Sequence, residues 1–459
     1  MAQGNNARNF ALEPKVGDKL TEAQLVYNYR DMKYRKQFYR QSMVMALVKK
    51  GIFKGTDMEH TLSLSQAASV SAGYLFCDST AGKTTRITVK CRNLYGYTNV
   101  DGKTMTIFKN DPEHVIASFA ERFLDPVVDV FNANIERMIM CNDRKGSGLL
   151  DEITAVSGTG TSVDPFVLDL ATDSILYKYE EGMKVHLDDD GSEQADSKGL
   201  RALTIQDVIE ADVNSGSPLQ LVATGTPLTA PAAGVGIYTA GSKDDELPGL
   251  AGFLRLGNAT AAELVADPTA NQFEGVDFSN RRMRSTVIDV STRANDSDKV
   301  VSSRLFRDAL LKVKRKSGQV PNMVVTSPEI FRDLEEIYEG SVQLQIPYCS
   351  DKKCRGGKTT IGFDGVEIMV AGKVVKVVSS EWLKPGEAYL LNSEHMVLKW
   401  RKGGAPMWDS RDSDSGSILR TVECADYFSA RYVAYGAFFA NPHYHGLITG
   451  IRTNQLGEV

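Results

Sequence analysis

Residues 302–340 read SSRLFRDALLKVKRKSGQVPNMVVTSPEIFRDLEEIYEG and predict a helix, a turn, a short strand and a second helix. Apolar residues recur every three or four positions between Leu305 and Val313, so one face of the first helix is apolar. Gly318 ends that helix, and Pro321 prevents it from resuming. The order of these four elements determines the architecture that the rest of the chain must fit.

The second half of this stretch predicts a strand followed by a well-capped helix. Met323, Val324 and Val325 form an apolar run that is too short for a helix and rich in β-branched residues, so we expect a strand. Ser327 offers an N-cap hydroxyl, and Pro328 suits the first helical position. None of these residues is a catalytic group, so the stretch predicts architecture and no chemistry.

Bulk composition is that of a globular protein with a sizeable core. Of the 459 residues, 42% are hydrophobic and 24% are charged, and the net charge is −5. The charge is unevenly distributed, because residues 1–55 hold eleven Lys/Arg and four Asp/Glu. This region therefore carries +7 and the rest of the chain −12, which leaves a nucleic-acid contact open for the N-terminal region only.

Cysteine usage favours a reduced protein made in the cytosol. The six cysteines are dispersed, at positions Cys77, Cys91, Cys141, Cys349, Cys354 and Cys424. No pair has the spacing of a metal site or a redox dithiol, and a bridge between Cys349 and Cys354 is the alternative to free thiols. We also expect neither secretion nor membrane insertion, since no signal peptide precedes the first helix and no apolar run reaches about 18 residues.

The N-terminal region predicts an extended arm followed by a basic, aromatic helix. Residues 1–20 lack periodicity, and the capping box Thr21–Gln24 starts a helix that runs towards Lys50. Two interpretations of this helix are compatible: it docks an aromatic face on its own domain, or it presents cations to nucleic-acid phosphate. The candidate contacts are Arg30, Lys33, Arg35, Lys36 and Arg40.

An extended β loop and a long helix are predicted next. Short strands at 73–76, 86–90 and 104–107 alternate with Gly- and Asn-containing turns, so residues 58–110 predict a projecting hairpin. Asp111-Pro112-Glu113 then starts a helix that runs to about Asn142, roughly 45 Å long, which Pro126 must kink or break.

The remaining segments are mostly β. Residues 150–255 predict a small inserted β subdomain, and residues 256–300 are polar and loop-rich. After the opening stretch come strands at 366–370, 374–378 and 388–391, followed by an aromatic-rich β stretch over 417–452.

The motifs that suggest chemistry are all weak. Gly82-Lys83-Thr84 lacks the glycine that a phosphate loop needs at position 77, and a calcium loop around Gly191 would begin with His186 where Asp is required. On a strand, His443 and His445 would share one face, which could begin a metal site, but no further Cys/His cluster supports it and structural or interfacial roles are favoured. A dispersed catalytic triad stays open, although the chain looks more like an assembly subunit than an enzyme.

This combination resembles the major capsid proteins of tailed bacteriophages, the Hong Kong 97 fold. The shared order is an N-terminal arm, an extended β loop, a long spine helix opened by Asp111-Pro112-Glu113, and a central helix-strand-helix with a basic first helix followed by Ser-Pro-Glu. Downstream, GFDGVEI at 362–368 and KPGEAYLLN at 384–392 look like the family's closing strands. The resemblance implies an α+β fold with peripheral and axial domains and an inserted β-rich subdomain.

The resemblance also implies a division of the chain. The expected units are 1–57 (arm and helix), 58–110 (extended loop), 111–164 (peripheral domain with spine helix), 165–255 (inserted subdomain), 256–300 (peripheral return), 301–400 (axial domain) and 401–459 (peripheral closing strands). In this frame the five basic residues of the first helix become interior or inter-subunit contacts. Lys312, Lys314, Arg315 and Lys316 become candidate inter-subunit or solvent charges.

The implied role is structural, with no catalytic residue, cofactor or metal. Pentamers and hexamers would form an icosahedral shell around double-stranded DNA, assembled in the bacterial cytoplasm with portal, scaffolding and decoration proteins as partners. We expect no Lys–Asn crosslink through Lys83, Lys90 or Lys103, no removal of an N-terminal prodomain, and a separate scaffolding protein if one is used. The alternatives are an encapsulin-like nanocompartment shell and a soluble α/β enzyme or binding protein.

Overall fold

A computed structural model provides the structure of the chain. It describes residues 48–63, 83–110, 123–142, 148–170, 174–188, 202–209, 218–225, 233–243, 245–255, 272–278, 280–295, 298–339, 366–409, 418–421 and 426–453. The helices are α1 Gly102–Asn110, α2 Asp125–Cys141, α3 Leu250–Arg255, α4 Ser303–Ser317 and α5 Pro328–Glu339. The first twelve strands are β1 Lys49–Phe53, β2 Met58–Ser63, β3 Thr84–Val89, β4 Arg92–Asp101, β5 Leu149–Ser157, β6 Phe166–Leu170, β7 Lys184–Asp188, β8 Ala202–Ile209, β9 Gln220–Thr224, β10 Gly236–Thr239, β11 Gln272–Phe273 and β12 Val276–Asp277. The others are β13 Thr286–Asp289, β14 Met323–Thr326, β15 Val366–Val370, β16 Lys373–Ser379, β17 Ala388–Leu391, β18 Met396–Arg401, β19 Met407–Trp408, β20 Leu419–Thr421, β21 Tyr427–Ala440 and β22 Gly446–Thr449.

The opening stretch folds as predicted, because its signals are local. The Ser302 hydroxyl accepts a hydrogen bond from the Leu305 amide at 3.2 Å and caps α4. Gly318 adopts a φ of 78° and donates its amide to the carbonyl of Lys314 at 2.8 Å, which ends the helix. The strand β14 and the helix α5 follow, so the predicted helix-strand-helix is confirmed.

One detail of this stretch is wrong. We expected the Ser327 hydroxyl to cap α5, but its Oγ is buried and has no hydrogen-bond partner among the described residues. The Ser327 carbonyl accepts from the Phe331 amide at 3.1 Å, which is the first backbone hydrogen bond of α5. Pro328 does occupy the first position of the helix.

These elements belong to a six-stranded mixed sheet, which we call the axial sheet. Its strand order is β13-β22-β17-β14-β16-β15. The strand β14 runs parallel to β16 and antiparallel to β17, with Val324 opposite Val377 and Leu390. These side chains face α4 and α5, whereas the other face of the sheet, with Val325 and Tyr389, joins the core of the neighbouring sheet.

The neighbouring sheet is built on one long strand. The strand β21 pairs with β4, β18, β19 and β20, and β1 adds to β18. Its inner face packs against α2 and α3 around Phe253 and Phe438, both fully buried. The expected axial unit, 301–400, includes most of β18, which pairs with β1 and β21 in this neighbouring sheet. Conversely, β13 and β22 belong to the axial sheet although they lie outside 301–400. Pairings between distant segments cause both differences.

Residues 149–239 contribute a closed six-stranded barrel in the order β10-β5-β6-β9-β8-β7. Alternation along β6 and β9 points every second side chain inward, and Leu168 and Leu221 are fully buried. The barrel has its own core, as an inserted subdomain should. It begins at Leu149, earlier than the expected boundary at 165, because β5 closes the ring between β6 and β10.

The extended loop begins as a hairpin. The strands β2 and β3 are antiparallel, with Met58 opposite Val89 and Ser63 opposite Thr84. The predicted strand at 86–90 is therefore confirmed, and the one at 73–76 lies outside the described residues. The strand β4 leaves this hairpin and pairs along its whole length with β21.

The predicted strand at 104–107 is wrong, because these residues lie within α1. The pairing of β4 with β21 ends at Asp101 opposite Tyr427. The Gly102 amide still donates to the carbonyl of Asp426 at 3.0 Å, and the helix begins at this residue. The spine helix ends where we predicted, and Pro126 lies in the first turn of α2, where proline is tolerated. Residues 111–122 lie outside the described part.

Candidate interaction surfaces

The predicted basic contacts cannot be placed on the fold. Arg30, Lys33, Arg35, Lys36 and Arg40 all lie outside the described residues, so their role stays a prediction. The same holds for the suggested Cys349–Cys354 pair. The described cysteines, Cys91 and Cys141, are free thiols.

A buried ion pair joins the spine helix to the segment that follows the barrel. The Arg137 Nη2 lies 2.6 Å from Glu246 Oε1, and both side chains are at most 3% exposed. The side-chain amide of Asn142 (Nδ2) donates to Glu246 Oε2 at 3.1 Å and to the carbonyl of Leu247 at 2.7 Å. Burial disfavours the charged guanidinium, but the Glu246 carboxylate outweighs this effect and the pKa of Arg137 is raised. The pair therefore fixes the end of the spine helix.

A second buried pair lies at the base of the barrel. Lys178 Nζ lies 3.1 Å from Asp151 Oδ1 and also donates to the carbonyl of Leu150, and the Tyr179 hydroxyl donates to Asp151 Oδ2 at 3.0 Å. Burial first, and the Asp151 carboxylate second, raise the pKa of Tyr179 well above its usual value. Tyr179 thus stays neutral and donates to the carboxylate, so this cluster holds the 3₁₀ turn Leu176–Lys178 against β5.

A cavity of about 380 Å³ adjoins both pairs. Its lining includes Asp129, Asn134, Arg137, Lys178 and Glu180, with Trp382 from the axial side. Both cations already hold buried carboxylates: Arg137 joins the spine helix to the segment after the barrel, and Lys178 binds Asp151 within the barrel. We assign the cavity a structural role.

One large recess of the described surface is basic. It measures about 830 Å³ and lies between α4, β13 and the 3₁₀ turns at 281–283 and 442–444. We call it the basic cleft, and its lining is Arg282, Ser285, Thr286, Val287, Lys312, Arg315, Lys316 and His443. Lys316 Nζ donates to the carbonyls of Arg284 and Ser285 at 2.8 and 2.7 Å, which ties the end of α4 to β13. No acidic side chain is among these lining residues.

The two histidines of the predicted pair have different surroundings. His443 lies in a 3₁₀ turn and His445 directly follows it, so they do not share the face of a strand. His445 is fully buried and accepts a hydrogen bond from the Asn392 amide at 3.1 Å, and burial lowers its pKa to about 3. His395 stacks on Tyr444 at 3.6 Å. Among the described residues, no group of three or more His, Cys, Asp or Glu side chains is placed to hold a metal.

An exposed aromatic strip lies on the outer face of β4. Tyr95 and Tyr97 are 61% and 72% exposed, and Tyr97 lies opposite Arg431 in the pairing with β21. Together with Asn99 they border a groove of about 440 Å³. Tyrosine and arginine are enriched at protein interfaces, so this strip is a second candidate contact surface.

Comparison with solved structures identifies the fold. The capsid asymmetric unit of cyanophage A-1(L) matches 94% of this chain and 98% of its own, with 12% identity and a TM-score of 0.50. The chain has the fold of a phage capsid subunit. The predicted α+β architecture of the Hong Kong 97 type is thereby confirmed, although identity this low shows the fold alone.

Other solved structures match this capsid fold more loosely. The capsid of the Myoviridae phage XM1 has 6% identity and a TM-score of 0.41, with 92% of this chain and 96% of that chain covered. The SrpI encapsulin of Synechococcus elongatus PCC 7942 has 7% identity and a TM-score of 0.40, with 94% and 95% covered. No family model and no curated protein matches the sequence. Within the described ranges, no helix has the length and apolar composition that a bilayer crossing requires.

Proposed function

We propose that this chain is the major capsid protein of a tailed bacteriophage. Copies assemble as pentamers and hexamers into an icosahedral shell that encloses double-stranded DNA. The fold match to the cyanophage capsid subunit, over nearly the whole of both chains, is the observation that supports this role. The subunit acts as a building unit without catalytic activity.

The exposed surfaces suit a thin shell. A shell one subunit thick offers little depth for any single interface, so each copy spreads its contacts over several neighbours. The hairpin β2–β3, the aromatic strip of Tyr95 and Tyr97, and the basic cleft are three such surfaces. Portal, scaffolding and decoration proteins complete the particle, which assembles in the cytoplasm of the host.

The N-terminal region supplies the contact with DNA. Its net charge of +7 over residues 1–55 contrasts with −12 over the rest of the chain. Cations near phosphates release counterions, which gives binding without sequence preference. Arg30, Lys33, Arg35 and Lys36 are the residues that we assign to this role.

The first experiment is expression of the full chain followed by cryo-electron microscopy. Closed shells of uniform size are expected, and a monodisperse monomer or small oligomer under all assembly conditions would overturn the proposal. For particles formed in the native host, nuclease treatment and extraction should yield protected double-stranded DNA. Protein cargo in place of DNA would favour the encapsulin-like alternative.

The second experiment tests the DNA contact. Replacement of Arg30, Lys33, Arg35 and Lys36 by alanine should lower the DNA retained per particle and leave the thermal unfolding of the subunit unchanged. The matched control removes four exposed lysines of the described surface, Lys54, Lys90, Lys373 and Lys402. Equal DNA retention in both variants would contradict the assignment.

A further inference from the structure

We propose that the basic cleft of one copy receives carboxylates from the exposed face of α5 in a second copy. This inference rests on the proposed function, because a ring of copies joins two different faces of the same subunit. The cleft supplies the positive face, and α5 supplies the negative one.

Two of the cleft's cations have no ion-pair partner among the described residues. Lys312 and Arg315 are exposed on α4, and neither forms a salt bridge with any described residue. The helix as a whole carries six basic residues and one acidic residue. Three of these cations, Lys314, Arg315 and Lys316, lie in the last turn, where positive charge stabilises the helix by offsetting its macrodipole. That effect leaves the side chains in solvent and does not account for a recess lined by them.

The floor of the cleft holds buried polar atoms with no partner. Thr286 is 5% exposed, and its Oγ1 has no hydrogen-bond partner among the described residues. The buried Nδ1 of His443 is also unpartnered. Burial, followed by the nearby charges of Lys316 and Arg282, lowers the pKa of His443, so the potential in the cleft is positive. Buried polar groups are nearly always satisfied, so two unpartnered atoms beside four cations mark the cleft as a polar site.

The shape of the site favours a protein carboxylate over DNA phosphate. A DNA duplex is stiff, with a persistence length of about 50 nm, and carries its phosphates on the outside of a rod. A rod of this kind touches only the rim of a recess. A glutamate that projects from a helix has the length and freedom to enter.

The helix α5 carries the complementary charge. It holds five acidic residues and one basic residue, and Glu336 is exposed while Glu335 is partly exposed. Neither of these two forms a salt bridge with a described residue. Both α4 and α5 cover the same face of the axial sheet, so this face has a positive and a negative helix. In the proposed ring, rotation about a common axis would bring the positive helix of one copy towards the negative helix of the next.

Charge reversal and its compensation test this interface. The Lys312→Glu/Arg315→Glu variant should raise the concentration needed for shell assembly by about tenfold or more, because like charges then face each other. Addition of Glu335→Lys/Glu336→Lys to the same chain should restore assembly. Arg304→Glu/Arg307→Glu is the matched control, since it reverses two exposed charges of the same helix outside the cleft. The control should assemble like the wild type, and circular dichroism should show the same fold for all variants.

Each alternative result has a distinct meaning. Normal assembly of the cleft variant overturns the inference and leaves the proposed capsid function intact, whereas absence of shells with the unaltered chain refutes the function itself. Impaired assembly without rescue excludes α5 as the partner and so also overturns it. Normal shells that retain less DNA would identify the cleft as a phosphate site and replace our inference.

Discussion

Loss of the Glu246 carboxylate should destabilise the joint between the spine helix and the segment that follows the barrel, and should cost more than loss of any exposed charge. Glu246→Ala leaves the Arg137 guanidinium buried, at 3% exposure, without its partner at 2.6 Å. Removal of one partner from a buried ion pair costs about 3–5 kcal/mol of the free energy of unfolding. The amide of Asn142 keeps the carbonyl of Leu247 as an acceptor, so the ion pair accounts for most of the expected loss. Glu246→Gln retains an oxygen near Arg137 and should cost about half as much.

Urea unfolding of the unassembled subunit measures this effect. Tryptophan fluorescence is a suitable probe, because Trp382 lies beside the joint, and circular dichroism should give a coincident transition. Glu59→Ala is the control, since its pair with Arg86 is 50–70% exposed and should contribute about 0–1 kcal/mol.

The reasoning also predicts a rescue. The double replacement Arg137→Met/Glu246→Leu removes both charges and fills the space with apolar atoms, so it should recover most of the lost stability. A loss below about 1 kcal/mol for Glu246→Ala, with an unchanged dependence on urea, would refute the assignment of this pair as the joint.

Three further predictions follow from the described cores. The pKa of His445 is about 3 in the folded state and near 6.5 in the unfolded state, so between these pH values only the unfolded state binds the proton. Acidification from pH 6.5 towards 3 should therefore lower the free energy of unfolding by about 1.4 kcal/mol per pH unit. Urea titrations at several pH values should show a weaker pH dependence for His445→Asn. Gly446→Ala would place a Cβ 2.8 Å from Val313 Cγ2 between α4 and the axial sheet, and should lower stability by about 1–3 kcal/mol in thermal unfolding. Leu168→Ala in the barrel core should cost about 2–5 kcal/mol in urea unfolding, whereas Val163→Ala, at a site that is 93% exposed, should cost almost nothing.

The parts of the fold that were predictable from sequence depend on neighbouring residues. Helix α4 ends at Gly318 because only the residues around it determine the left-handed cap, and the strand β14 is bounded by Pro321 and Pro328. The strand at 388–391 follows a Pro-Gly turn in which Gly386 has a φ of 76°. Each of these signals lies within a few residues of its effect.

The parts that were not predictable depend on distant partners. Residues 104–107 have the composition of a strand, yet they lie within a helix that begins where the described pairing of β4 with β21 ends. The edge strand β13 pairs in parallel with β22, which lies about 160 residues later in the sequence. Nothing near Thr286 or Gly446 in the sequence encodes this partner.

The basic cleft shows the same limit at the level of a site. Lys312, Arg315 and Lys316 are visible in the sequence as a charged helix end. Arg282 and His443 join them only because β13 and β22 are adjacent in the axial sheet. The basic residues on α4 were therefore visible in the sequence, whereas the position of Arg282 and His443 beside them depends on the topology of the sheet.

The arrangement of the cores indicates which parts of the subunit can vary independently. The axial sheet has α4 and α5 on one face and shares its other face with the core of the neighbouring sheet, so the two sheets cannot separate without exposure of residues such as Tyr389 and Leu391. The barrel instead closes on its own core. The Lys178–Asp151 pair lies within the barrel, and the Arg137–Glu246 pair joins the spine helix to the segment that follows the barrel. We therefore expect changes of barrel shape to leave the two-sheet body intact, whereas changes within the shared core should disturb every surface through which one copy contacts the next.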